Sequence, residues 1–109
     1  MTTGAEKLEI QDEAFKILDA AGIEYIHIPN RMFSPGKTAP EKLRYFPDVG
    51  FMFQGVYYMR EFGIGNNNKW RKEKQREKME RWGKHGANIG TIKSKDELIL
   101  FFKEIKMIK

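Results

Sequence analysis

Residues 46–63 read FPDVGFMFQGVYYMREFG, two aromatic and β-prone runs on either side of the dipeptide Gln54-Gly55. A two-residue turn with glycine at its second position predicts a β-hairpin, and fixing the turn fixes the register. Phe53 then faces Val56, Phe51 faces Tyr58, and Asp48 faces Glu61. Directly opposed side chains share a face with their Cβ atoms roughly 5 Å apart, so the two carboxylates repel unless a proton or a cation sits between them.

Working outward, residues 6–21 mix charges with Leu8, Phe15, Ile17, Leu18 and Ala21 in a helical rhythm that stops at Gly22. Residues 23–28 alternate as a strand, with Ile26 and Ile28 on one side and Tyr25 and His27 on the other, ended by Pro29 and Asn30. Residues 31–42 hold two prolines, a glycine and basic side chains that read as a surface loop suited to phosphate. On the far side of the hairpin, Asn68 is placed to cap a charged helix ending near Gly86, in which Gln75, Met79 and Trp82 share a face and Lys72 lies one turn earlier. A short strand over residues 87–92 follows. Ser94 and Glu97 have capping-box spacing before a helix that packs Leu98, Phe101, Phe102 and Ile105. The order α-β-β-β-α-β-α predicts an α/β domain with a mixed central sheet flanked by helices.

With 109 residues the chain fits one domain, residues 1–109, and its 40% hydrophobic content supplies a core. Twenty Lys plus Arg against 15 Asp plus Glu give a net charge of +5, which favours an anionic partner, nucleic acid first. The absence of cysteine excludes disulfides and thiolate metal sites and points to a reducing cytoplasm; a bacterial or phage-infected cell is the expected setting. No apolar run approaches a membrane span and the first residues lack the pattern of a signal peptide, so no membrane partner is expected. Aromatic residues on both sides of the hairpin strands suggest that a second copy covers one face, hence a homodimer. His27 and His85 stand without a ligand pattern and are read as structural or surface residues, while Trp70 and Trp82 are weighed as base-stacking or core residues.

Opposed carboxylates on a sheet either share a proton as an acid/base pair or hold a hard divalent cation such as Mg²⁺ or Mn²⁺. The bland alternative is a turn-capping Asp48 and a surface-paired Glu61. Pro47-Asp48, the hairpin turn and Glu61-Phe62-Gly63 resemble the PD-(D/E)xK nuclease pattern, and Gln75 in the following helix resembles its VRR-NUC branch. The resemblance runs from the first helix to the last. It implies a restriction-endonuclease-like fold and a metal-dependent DNA endonuclease, acting on branched or structured DNA. Asp48 and Glu61 would be metal ligands, the backbone carbonyl of Phe62 a third, and Gln75 a site-facing residue. In some members an acid of the first helix joins the site, and Glu9 or Glu13 would be its counterpart here.

One position departs from the pattern. Gly63 stands where the motif has a lysine, whose ammonium would orient the attacking water and stabilise charge on the phosphate. Lys72 is the first candidate to reach in from the helix, ahead of Arg60 and Lys69. Otherwise the site is weakened, and the chain acts in nucleic-acid binding or assembly on a nuclease fold. A small RNA-binding protein with an accidental motif is the third reading.

Overall fold

The computed structural model describes residues 3–27, 46–63 and 69–109, the side chains of residues 69–72 excepted. The elements are α1 (Gly4–Ala20), β1 (Tyr25–Ile26), β2 (Val49–Phe53), β3 (Val56–Phe62), α2 (Lys69–Lys84), β4 (Asn88–Ile92) and α3 (Lys95–Glu104). They follow the expected order. The strands form a sheet ordered β1-β2-β3-β4, antiparallel except for the parallel pair β3 and β4. A parallel neighbour requires a crossover, and α2 makes it.

The hairpin has the register read from its turn: Phe53 opposes Val56, Phe51 opposes Tyr58 and Val49 opposes Arg60. Gln54 and Gly55 both have positive φ, 49° and 80°, as a turn matched to the twist of the flanking strands requires. Tyr57 lies across Gly50, and its hydroxyl occupies the space a β-carbon would fill.

Phe51, Tyr58 and Phe62 join Phe101, Phe102 and Leu98 of α3 and Ile10, Ala14 and Leu18 of α1 in the core. The buried stripe of α1 is therefore Ile10, Ala14 and Leu18, whereas Leu8, placed in the expected helical rhythm, is 58% exposed. The other sheet surface meets α2 through Met79, which is buried, and Trp82, which packs against Tyr57 at 5.7 Å between ring centroids. Helices of the same chain thus pack on both hairpin surfaces, while Met52 and Trp82 stay 56% and 42% exposed.

Strand β1 is shorter than expected, two residues paired with Gly50 and Phe51, and Tyr25 stacks on Phe15 at 4.6 Å between ring centroids. The expected loop over residues 31–42, the Asn68 cap, and the side chains of Lys69, Trp70 and Lys72 lie outside the described residues.

At the start of α3, Ser94 Oγ accepts from the Glu97 amide at 3.1 Å. Glu97 reaches back to the amide of Lys93 rather than to that of Ser94, at 2.6 Å. Ser94→Ala should lower stability by about 1 kcal/mol, read as a shift in the urea midpoint with an unchanged slope.

Candidate metal and nucleic-acid site

Asp48 enters β2 and Glu61 nearly ends β3. Hairpin register places their carboxyl groups close enough to share a proton. Both side chains are largely withdrawn from water, with exposures of 13% and 15%. Burial, then the hydrogen bond and charge of Asp48, push the Glu61 carboxyl up to about 8, against the lowering influence of Lys7 and of a hydrogen bond from Gln75. Glu61 is therefore the carboxyl that keeps its proton toward neutral pH, hydrogen-bonded to Asp48.

Backbone groups fix Asp48 in place. Its Oδ2 accepts from the Phe62 amide at 2.8 Å, while its own carbonyl accepts from His27 Nδ1 at 2.8 Å. That acceptor dictates which ring nitrogen carries the proton, since a carbonyl cannot donate. His27, unassigned to any site from sequence, thus buttresses the carboxylate through its main chain and rests edge-on against Phe15.

Gln75 faces this site from α2, bonded to Glu61, and a cleft of about 520 Å³ opens beside them. Arg76, Met79, Ile89, Thr91 and Lys93 line it. Lys72 is in the backbone of α2, with its side chain outside the described residues.

Phe62 meets the site through its backbone. Its side chain is core, 1% exposed, and its amide serves Asp48. Glu9 and Glu13 do not join the pair: Glu9 is ion-paired with Lys95 at 4.0 Å, and the described residues contain no group of three or more His, Cys, Asp or Glu able to hold a metal. Arg60 is likewise excluded as a substitute for the motif lysine. Alternation along β3 sends it to the opposite surface from Glu61, where its guanidinium lies over the Phe101 ring at 4.3 Å and against Gly90, whose missing β-carbon leaves the room. It donates there to the carbonyls of Met59 and Asn88 and to the Asn88 side chain. Burial lowers its pKa to about 10, so it stays charged at neutral pH.

Among the described residues, a cation that reaches the pair is Lys7, whose Nζ lies 3.2 Å from Asp48 Oδ2 and 3.9 Å from Glu61 Oε1. Sequence inspection missed it. The signal was present, because Lys7 lies three residues before Ile10 and seven before Ala14, on the line of the buried stripe of α1. Gly63, opposite in role, has φ 74°, a left-handed conformation in which a lysine would be strained.

A solved structure described as a VRR_NUC domain superposes with a TM-score of 0.61, covering 90% of this chain and 95% of the other at 20% sequence identity. The fold is VRR-NUC-like. No protein-family model matches the sequence, and no match is found among curated proteins. In the VRR-NUC-like fold the mixed sheet carries the carboxylate hairpin at its centre and the crossover helix brings Gln75 over it. None of the described helices is long and apolar enough to cross a membrane.

Proposed function

We propose that this chain is a divalent-metal-dependent DNA endonuclease acting in the cytoplasm on branched or structured DNA. The observation that carries the reading is the facing pair Asp48 and Glu61, largely buried and hydrogen-bonded to each other, with the Phe62 amide on the Asp48 carboxylate, His27 on the Asp48 main chain and Gln75 on Glu61.

Two oxygen ligands of this kind suit Mg²⁺ or Mn²⁺, since a small hard cation is commonly held by one or two carboxylates and keeps several waters. Asp48 and Glu61 would bind it, with the Phe62 carbonyl and water completing the shell. Bound there, the ion would supply a water of lowered pKa and neutralise charge building on the phosphodiester. Gln75 keeps Glu61 in one orientation. The Phe62 amide leaves Asp48 with its second oxygen for the ligand. The adjoining cleft, with Arg76 and Lys93 in its lining, offers cationic groups to the DNA backbone, and the net charge of +5 favours its approach. On α2, Lys74 and Arg76 are paired with Glu77 and Glu80 at 3.7 and 3.8 Å.

The test is cleavage of branched and linear DNA in Mg²⁺ or Mn²⁺ by the wild-type chain beside Asp48→Ala. Cleavage by the wild type that falls about 100-fold or more in the variant is expected; cleavage untouched by the substitution removes the site. Gly63 supports a second reading, a nuclease-fold domain without catalysis that binds or assembles on nucleic acid. It expects metal-independent DNA binding with no cleavage.

A further inference from the structure

We propose that Lys7 is the cationic residue of this site, supplying from the first helix the ammonium that Gly63 cannot supply from the strand; the inference rests on the nuclease reading above. Three observations converge on it. The Lys7 ammonium contacts both carboxylates, at 3.2 and 3.9 Å. It is held there by helix geometry, because Lys7 continues toward the sheet the stripe made by Ile10, Ala14 and Leu18, and Thr3 caps the helix by accepting from the Glu6 amide one residue earlier. Finally, the chain has left the strand at position 63, where φ is 74°, so a side chain there would not continue the alternation that puts Glu61 in the site.

Lys7 is also a different object from a surface counterion. Its side chain is 29% exposed, and both of its partners are largely buried. Coulomb attraction is less screened under those conditions than for the exposed pairs of α2. An ammonium at that distance from two metal-binding carboxylates is within reach of a phosphate oxygen or water bound beside them. From that position it would stabilise the charge that builds on the phosphate during attack. It also competes with the metal for the same carboxylates, and that competition gives a readout separate from cleavage.

The experiment uses the full chain as wild type, Lys7→Met, Lys7→Arg and Lys72→Met, with folding checked by circular dichroism. Three quantities are measured: the Mn²⁺ dissociation constant, DNA affinity in Ca²⁺, and single-turnover cleavage at saturating Mn²⁺. Lys7→Met should bind Mn²⁺ about 10-fold more tightly, keep DNA affinity within about 3-fold, and cleave about 100-fold more slowly. Lys7→Arg should keep Mn²⁺ affinity near that of the wild type and retain part of the rate. Lys72→Met should leave both quantities near the wild type. Cleavage by Lys7→Met within about 3-fold of the wild type overturns the proposal, as does loss of the rate in Lys72→Met alone. A wild type that does not cleave DNA at all defeats the nuclease reading on its own control. In that event the Mn²⁺ titration decides the placement of Lys7, tighter binding by Lys7→Met keeping it as the cation of the pair and unchanged binding removing it.

Discussion

Glu61→Gln should make the metal-free protein more stable while removing a ligand of the proposed metal site. The sign follows from the direction of the shift: burial and Asp48 raise the Glu61 carboxyl from 4.5 to about 8 in the folded chain. Below the unfolded value both states are protonated and the folded chain carries no penalty. As pH rises through the interval up to about 8, the unfolded chain ionises first and stability is lost; above it the loss is complete. Glutamine is neutral throughout and can donate to Asp48 as the protonated acid does. The variant should therefore match the wild type near pH 4 and exceed it by about 2–4 kcal/mol at pH 9. In a chain of this size that corresponds to a rise in Tm on the order of 10 °C. Mn²⁺ affinity should fall at least about 100-fold, since loss of an outer-shell partner alone costs 10 to 100-fold. Equal melting temperatures of the two proteins at pH 9 would refute the assignment of strain to this carboxyl. A gain in stability with a loss of ligand binding is the trade expected where function requires like charges to be buried together.

Phe62 gives the opposite separation. Its ring is 1% exposed within the core of α1 and α3 residues, so Phe62→Ala should cost about 3–5 kcal/mol, a large share of the whole stability of a small domain. Phe62→Leu should cost less and remain folded, with a Tm lowered by several degrees. The contact that matters to Asp48 is made by the Phe62 amide, which both substitutions keep. Mn²⁺ affinity of folded Phe62→Leu is therefore expected within about 3-fold of the wild type. A folded Phe62→Leu chain with no metal affinity would mean that the ring, and not only the backbone, orients the site.

What could be read from the sequence and what could not divide along physical lines. The hairpin was legible because Gln54-Gly55 permits positive φ at both turn positions, and a fixed turn leaves no freedom of register. The last helix was legible because Ser94 and Glu97 cap it locally. Local chemistry determined both. Lys7 was not legible, since a lysine near the start of a helix is ordinarily solvated and its target lies some 40 residues away, on another element. The α1 rhythm was misjudged for a related reason: several residues fit a 3.6-residue period, and only packing selects Ile10, Ala14 and Leu18 over Leu8. Arg60 could have been rejected beforehand, because adjacent positions of a strand face opposite ways. The packing of Trp82 against Tyr57 was not legible, because it joins residues of two elements that only the tertiary fold brings together. The fold, by contrast, agrees with a VRR_NUC domain structure over 90% of the chain.

The placement of the acids on one hairpin and the ammonium on α1 has an evolutionary consequence. A motif that carries carboxylate and lysine two residues apart changes both whenever its strand shifts. Here the two parts sit on separate elements, so under the proposed reading substitutions in α1 would tune the site while the hairpin carboxylates stay in place. Exchange of one residue on the first helix would then alter the charge beside the carboxylates without moving either of them.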